Sequence, residues 1–221
     1  MTVNVEEVVI GILGGTGDQG RGLARRFALA GHRVIIGSRN EDRAKAAAAE
    51  LAAAAGHVDG MTNSDTAGNA DLVIAAIPWE GHGELLSSLA AELSGKIVVD
   101  CVNPLAFDAR GAYSLPVAEG SAAEQAAGLL PDSRVVAAFH HVSAKLLLDP
   151  EVAAMDLDVL VLGDDREATD LVQALAARIP GMRGVYAGRL RNAGQVEALT
   201  ANLVSINRRY KAHAGLRVTD V

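Results

Sequence analysis

Aromatic residues and cysteine are scarce in this chain. Only 3% of its 221 residues are aromatic although half are apolar, so the core must be built mainly from Ala, Val, Leu and Ile. The single cysteine, Cys101, cannot form an internal disulfide and offers no metal cluster. Because it follows the apolar run 97–99, we expect a small buried residue rather than a nucleophile. We predict no metal site.

Long apolar runs are absent as well. No run approaches the ~20 residues that a membrane-spanning helix requires. The chain reaches Glu6 and Glu7 without the basic segment and apolar stretch of a secretory signal. The sequence therefore predicts a cytoplasmic protein that does not contact a membrane.

Basic residues are in the minority, with 20 Lys and Arg against 27 Asp and Glu, and the net charge is −7. They are unevenly distributed, because residues 178–221 contain eight basic and two acidic residues. Such a segment can bind nucleic acid, an anionic ligand or an acidic surface of the same protein. Nucleic acid is disfavoured because the whole chain is acidic. We expect small-molecule partners only.

A glycine-rich turn follows the first apolar run, at 8–13. Gly15, Gly17 and Gly20 give the pattern G-x-G-x-x-G. In a dinucleotide site the first glycine allows a tight turn, the second lets the backbone approach a pyrophosphate, and the third lets the helix pack on the strand. The N–H groups at the helix start favour phosphate. A turn used only for packing is the alternative to the dinucleotide site that we predict. Besides the glycines, the predicted site includes Thr16, Asp18 and Gln19.

The residues after the second predicted strand indicate which dinucleotide binds. An NAD site places Asp or Glu there, on the ribose 2′-hydroxyl. This chain has Ser38 and Arg39, with Arg43 four residues later, and Asn40 is placed to cap the next helix. Hydroxyl and guanidinium groups bind a 2′-phosphate, which a carboxylate would repel. We predict NADP; the alternatives are solvated arginines, or a ribose bound by Asp42 if the strand ends later.

Apolar runs alternate with helical segments along the chain. Strands are predicted at 8–13, 33–37, 71–77, 96–100, 134–139 and 157–162, and helices at 41–55, 81–93, 121–129 and 166–178. Near-continuous apolar strands separated by helices indicate a parallel sheet covered on both faces. We predict an α/β fold, with a Rossmann-type doubly wound parallel sheet at 1–145 and a small C-terminal α/β domain at 146–221.

The last long segment carries an apolar stripe at spacings of three and four residues. Its members are Val196, Leu199, Leu203, Ile206 and Tyr210. This spacing predicts one face of an amphipathic helix. The stripe suits core packing or a subunit contact, and we expect a homodimer because the stripe needs a cover.

In open parallel sheets, ligands bind beyond the carboxyl ends of the strands. Ile77, Pro78 and Trp79 follow one predicted strand, Asn103 another and His140 a third, and we expect cofactor contacts there. Trp79 suits a core or lid position as well as a cofactor contact. Asn103 either binds a carboxamide or braces its own turn. The histidine pair at 140–141 lacks the spacing of metal ligands.

Four segments resemble one enzyme family. They are G-G-T-G-D-Q-G at 14–20, G-S-R at 37–39, H-H-V-S-A at 140–144 and L-T-A-N-L at 199–203. Nearly end to end, the chain is similar to the NADPH:coenzyme F420 oxidoreductases, the deazaflavin-dependent NADP reductases. The resemblance implies a Rossmann domain for NADP, a small C-terminal domain that helps to hold F420, and hydride transfer between nicotinamide and deazaflavin.

The resemblance also implies roles for particular residues. Those that would bind the 2′-phosphate are Thr16, Ser38, Arg39 and Arg43, and those that would lie where nicotinamide meets deazaflavin are His140, Val142 and Ala144. Both reacting groups belong to cofactors, so we expect no essential catalytic residue and regard His140 as a candidate ring contact. The basic residues after 178 would bind the anionic tail of F420.

Two other functions remain open. An NADPH-dependent reductase of a small imine or carbonyl compound would share the fold and the glycine pattern, although such enzymes usually add a proton donor or a long helical domain. A redox sensor that binds NADP without chemistry is the other alternative. Turnover with F420 separates both from the function that the resemblance implies.

Overall fold

The computed structural model describes residues 5–221, which contain ten strands and nine α-helices. The strands are β1 (Ile10–Leu13), β2 (Val34–Ser38), β3 (Val58–Thr62), β4 (Leu72–Ala75), β5 (Ile97–Asp100), β6 (Leu105–Asp108), β7 (Gly111–Ser114), β8 (Arg134–Ala137), β9 (Leu157–Gly163) and β10 (Met182–Gly188). The helices are α1 (Asp18–Leu29), α2 (Glu41–Ala55), α3 (Asn63–Asn69), α4 (His82–Ser88), α5 (Ala90–Leu93), α6 (Ala122–Leu129), α7 (Ala144–Leu148), α8 (Arg166–Ala176) and α9 (Ala193–Tyr210).

Eight strands form one sheet in the order β10-β9-β8-β5-β4-β1-β2-β3, while β6 and β7 form a separate hairpin. The six strands from β8 to β3 in this order are all parallel. Strand β9 pairs antiparallel with β8, and β10 pairs parallel with β9. The predicted Rossmann-type α/β fold is confirmed, and β9 and β10, from the region predicted as a small C-terminal domain, extend the same sheet with their direction reversed relative to β8.

The reversal at β9 has a local cause. Between β8 and β9 the chain forms only the five-residue helix α7, which packs beside α1, with Leu147 against Gly22. Val136 and Ala137 pair with the last two residues of β9. The rest of β9 therefore lies opposite the loop after β8. The strand begins beyond the carboxyl edge of the parallel strands and runs back toward the sheet. Because β9 extends the same sheet, the division at residue 145 stays a prediction.

Helices cover both faces of the sheet. One face packs against α1, α2, α7 and α8, and the other against α3 to α6 and α9. The two clusters consist mainly of Ala, Val, Leu and Ile, as expected from the composition. Phe27 and Phe139 are their aromatic members, and the two rings meet edge to face at 5.9 Å. Among the helices of residues 5–221, none has the length and apolar character needed to cross a bilayer.

Several elements differ from the sequence-based expectation. The edge strands β3 and β10 were not predicted, because they are partly exposed and lack a continuous apolar run. The predicted helix 81–93 is broken between α4 and α5. The stripe of α9 is buried at Val196 and Leu203 but exposed at Ile206 (40%) and Tyr210 (73%). Half of that stripe therefore packs in the core.

Candidate functional site

A cleft of about 1140 Å³ runs along the carboxyl ends of the parallel strands. It brings together most of the residues predicted from the sequence: Thr16, Gly17, Asp18, Gln19, Ser38, Arg39, Arg43, Ile77, Pro78, Asn103 and His140. Four predicted residues do not line it: Gly15, Gly20, Val142 and Ala144. Val142 packs in the core, and Ala144 begins α7. Their predicted cofactor contacts stay predictions.

The glycine turn connects β1 to α1 at one end of the cleft. Gly14, not Gly15, takes the left-handed conformation (φ +65°), and a Cβ there would lie 2.6 Å from Ile77 Cγ2. Gly15 also has no room for a side chain in this turn, since a Cβ there would lie 2.8 Å from the Ile12 carbonyl oxygen. Gly20 has its expected packing role, since a Cβ would lie 2.6 Å from the Cα of Gly15. Gly17 is exposed to the cleft, and no side chain caps α1, so the first N–H groups of this helix are open to a phosphate.

The loop after β2 forms the adjoining wall. The Asn40 side chain accepts the Arg43 N–H at 3.0 Å and caps α2, as predicted. Ser38 Oγ accepts the Asn40 N–H at 3.2 Å. The ion pairs within residues 5–221 do not include Arg39 or Arg43, both of which are exposed. Two guanidinium groups, a hydroxyl and a helix N-terminus thus converge where a 2′-phosphate is expected. The alternative ribose ligand, Asp42, does not line the cleft.

The other end of the cleft is formed by the loops after β4, β5 and β8. Asn103 Nδ2 donates to the His140 carbonyl oxygen at 2.8 Å, and the Thr200 hydroxyl donates to the same oxygen at 3.2 Å. Asn103 therefore braces the neighbouring strand end rather than its own turn. Thr200 belongs to the segment 199–203 noted in the sequence, and it connects α9 to this wall.

The His140 ring lines the cleft although the residue is only 3% exposed. Neither ring nitrogen makes a hydrogen bond of normal geometry within the described chain. Burial lowers the pKa of His140 to about 4, and the charge of Asp100 and the nearby carbonyls of Val102 and Cys101 offset this only in part. At neutral pH the ring is uncharged, and both of its nitrogens are buried.

The backbone just before His140 is bent. Phe139 is fully buried and has a positive φ of 63°, which is rare for a bulky residue. Its carbonyl accepts a hydrogen bond from Gln19 Nε2 at 3.3 Å, and its ring packs on Phe27. Two residues of α1 thus hold the bend that directs His140, which links the glycine turn to the far wall.

Cys101 also lines the cleft, but its chemistry is suppressed. The residue is buried, its thiol donates to the Ala75 carbonyl at 3.1 Å, and burial raises its pKa far above the usual range. A thiolate is therefore not available. Within residues 5–221 no group of three or more His, Cys, Asp or Glu side chains is placed to hold a metal ion.

Sequence reasoning missed other parts of the cleft. Asn63, the first residue of α3, accepts the Gly14 N–H at 3.3 Å and lines the cleft. Glu80 and Glu84 add acidic groups near Trp79. Of these residues only Trp79 was noted in the sequence, as the one tryptophan at a strand end. Asn63 was missed because it follows a strand that was not predicted.

Half of the basic residues after 178 form ion pairs with carboxylates. The pairs are Arg178 with Glu6, Arg183 and Arg217 with Asp158, and Arg189 with Asp164. The ion pairs of residues 5–221 do not include Arg191, Arg208, Arg209 or Lys211. The set of basic residues expected to bind an anionic tail is therefore reduced to these four.

Known proteins share the sequence of this cleft. A family model described as NADP oxidoreductase, coenzyme F420-dependent, matches residues 9–104. The F420-dependent NADP reductase of Methanothermobacter thermautotrophicus is 38% identical, covering 99% of this chain and 98% of that protein. The protein of the same name from Methanocaldococcus jannaschii is also 38% identical, covering 96% of this chain and 98% of that protein.

A solved structure shares the whole fold. It is a candidate F420-dependent NADP reductase from Arthrobacter sp. FB24, with a TM-score of 0.82 and 29% identity over 96% of this chain and 99% of that one. With relatives of 38% identity over nearly the full length, the chain belongs to the family of coenzyme F420-dependent NADP oxidoreductases.

Proposed function

We propose that this protein transfers a hydride between NADP(H) and coenzyme F420. When bound, the two cofactors supply the hydride donor and the hydride acceptor, so the protein needs no nucleophile. The observation that carries the proposal is the cleft itself, which joins Arg39 and Arg43, without an ion pair among residues 5–221, to the uncharged, nearly buried His140 at its other end. The family relatives support the same assignment.

The phosphate end of the cleft fits NADP. The unpaired guanidinium groups of Arg39 and Arg43, with the Ser38 hydroxyl, would hold the 2′-phosphate, and Thr16 would add a second hydroxyl. Gly17 and the first N–H groups of α1 would hold the pyrophosphate, beside Asp18 and Gln19. These residues would bind and orient the cofactor.

The far end of the cleft would receive the two rings. Ile77 and Pro78 offer an apolar wall, Asn103 fixes the strand end, and His140, uncharged and nearly fully buried, lines the same end. Such a site orients flat rings and keeps water from them. Contacts from Val142 and Ala144 are part of the proposal on the strength of the resemblance alone.

We also propose that the protein is a cytoplasmic homodimer. The exposed half of the α9 stripe, Ile206 and Tyr210, lacks a cover within the described chain. The β6–β7 hairpin packs near α9 and exposes Phe107 (68%) and Tyr113 (46%). A second copy of the chain would bury these apolar groups. The free, buried thiol of Cys101 suits a reducing compartment. Sedimentation velocity would report the subunit number.

The function is tested by mixing the protein with oxidised F420 and NADPH and following the deazaflavin absorbance, then repeating with NADH. We expect rapid bleaching with NADPH and little with NADH. Equal rates would contradict the phosphate site but keep the reaction. No bleaching despite NADPH binding would overturn the proposed function.

A further inference from the structure

A buried histidine supports the cleft from behind. His82 begins α4 and is 1% exposed. Its ring packs on the indole of Trp79, with centroids 5.4 Å apart and planes inclined by 34°. Trp79 lines the cleft whereas His82 does not. The position of one cleft wall therefore depends on a ring that no ligand touches.

The same ring is tied to the facing wall through Asp100, the last residue of β5. His82 Nε2 lies 2.6 Å from Asp100 Oδ2, and both side chains are fully buried. The other carboxylate oxygen, Oδ1, accepts the N–H of Val102 at 2.9 Å, and Val102 lines the cleft. One histidine–carboxylate pair thus connects the wall after β4 with the wall after β5.

The surroundings of His82 favour its charged form. Its second nitrogen, Nδ1, lies 2.9 Å from Gln125 Oε1, and the Gln125 amide nitrogen donates to Glu119. A ring between two acceptors must donate from both nitrogens, which only the imidazolium can do. Burial opposes this charge, but the hydrogen bond and charge of Asp100, the bond to Gln125 and the charge of Glu197 outweigh burial and raise the pKa of His82. These groups reach the ring from β5, α6 and α9.

We propose that His82 is a positioning residue, a buried imidazolium that holds the Trp79 and Val102 walls at the spacing that the nicotinamide half of NADP requires. The inference rests on the proposed function for the identity of that ligand. The phosphate half of the site, at Ser38 and Arg39, makes no hydrogen bond to this pair. Loss of the imidazolium should therefore weaken one half of the cleft only.

The first test needs no cofactor. Trp79 is the single tryptophan, so its fluorescence reports on this site alone. A stacked imidazolium quenches indole emission, and we expect emission to rise with pH at a midpoint above 6.5. The transition should disappear in His82→Gln and persist in His57→Gln, which removes an exposed histidine. A transition that is absent in the wild type, or that survives in His82→Gln, overturns the inference.

The second test compares two ligands by calorimetry. NADP⁺ spans the whole cleft, whereas adenosine 2′,5′-bisphosphate occupies the phosphate half only. His82→Gln should weaken NADP⁺ binding about tenfold, the effect of losing one charge-assisted hydrogen bond, and should leave the bisphosphate unchanged. Asp100→Asn should do the same, and the double variant should add little because both changes break one pair.

Equal weakening of both ligands, or of neither, would overturn the positioning role. If His82→Gln does not fold, Asp100→Asn and the wild-type titration still decide the question. A wild type that binds neither ligand would instead contradict the proposed function, and the Trp79 titration would continue to test the His82–Asp100 pair.

Discussion

At one end of the cleft Arg39 and Arg43 extend into solvent, and no carboxylate within residues 5–221 pairs with them. At the other end His82, Asp100 and His140 are each at most 3% exposed. The phosphate end therefore gains affinity from open charges that water and salt can screen. The ring end depends on buried groups whose positions are set before a ligand arrives.

Two buried histidines of the ring end, His82 and His140, differ in their hydrogen-bond partners and in their charge. His82 has an acceptor on each nitrogen and a raised pKa, whereas His140 has neither nitrogen bonded and a pKa lowered to about 4. Burial is common to both, so the partners decide the charge. We infer that the charged ring supports the site from behind and that the uncharged ring packs in the wall of the cleft.

Acid should have the largest effect, and it should act at the ring end. Burial lowers the pKa of His140 and of His141 to about 4. Between pH 6.5 and 4 these two histidines bind protons in the unfolded chain but not in the folded protein. The free energy of unfolding therefore falls as the pH falls. Burial raises the pKa of Glu197 to about 7, so the folded protein binds this proton more tightly than the unfolded chain does. As the pH falls over the same window, this carboxyl therefore increases the free energy of unfolding. From pH 6.5 to 4.5 we expect the free energy of unfolding to decrease by about 2 kcal/mol, measured by urea titration.

Glu197→Gln separates the opposing contributions. Without the ionisable carboxyl, the loss of stability between pH 6.5 and 4.5 should become steeper by about 2 kcal/mol. The amide can still accept the N–H of Ala122 or Ala123, which the carboxylate bonds at 2.9 and 3.2 Å. A free energy of unfolding that is independent of pH across this window would contradict the buried, uncharged state of the two histidines.

Removing an arginine at the phosphate end should have the next largest effect. Arg39→Gln keeps a hydrogen-bonding side chain but loses the charge that the 2′-phosphate would meet. We expect the Kd for NADPH to rise about tenfold and the Kd for NADH to stay nearly the same, measured by calorimetry.

Arg33→Gln provides the matched control for this change. Arg33 lies just before the same strand, at its other end, and pairs with Asp59 at 3.0 Å on the surface. Its loss should alter neither affinity. If both arginine variants weakened NADPH equally, the effect would reflect general charge and not a phosphate site.

A smaller effect is expected from His140→Ala. The ring is buried and uncharged at neutral pH, so its loss removes packing that shapes the ring end and not the chemistry. We expect the KM for F420 to rise about fivefold while turnover remains measurable. Calorimetry with adenosine 2′,5′-bisphosphate should show an intact phosphate end. Complete loss of turnover with that end intact would contradict this role.

The comparison of the two ends also explains what the sequence could predict. The phosphate end is local in the chain: the glycine turn and the segment from Ser38 to Arg43 each carry their own pattern. The His82–Asp100–Gln125 contacts join residues 18 and 43 positions apart on three elements, and no spacing rule marks such a set. The same limit applies to Asn103, whose partner His140 lies 37 residues away.

The fold shows a similar division. Buried strands such as β1, β4 and β5 were predicted because both of their faces pack against helices. The direction of β9 was not predicted, because it depends on where α7 returns the chain and not on residues within the strand. The role of Gly14 in the turn was missed for a related reason, since the close approach of Ile77 to Gly14 comes from another strand end.

Salt should produce the smallest effect and should distinguish the ends directly. Raising the ionic strength from 0.05 to 0.2 M shortens the screening length to below about 10 Å, which weakens exposed charges and leaves buried pairs almost untouched. We expect the Kd for NADPH to rise about threefold and the Kd for NADH clearly less, because only NADPH places a dianion beside Arg39 and Arg43. In Arg39→Gln the difference between the two cofactors should shrink. If salt weakened both cofactors equally in the wild type, the charges that matter would lie at the pyrophosphate, and the open arginines would not be the source of the preference.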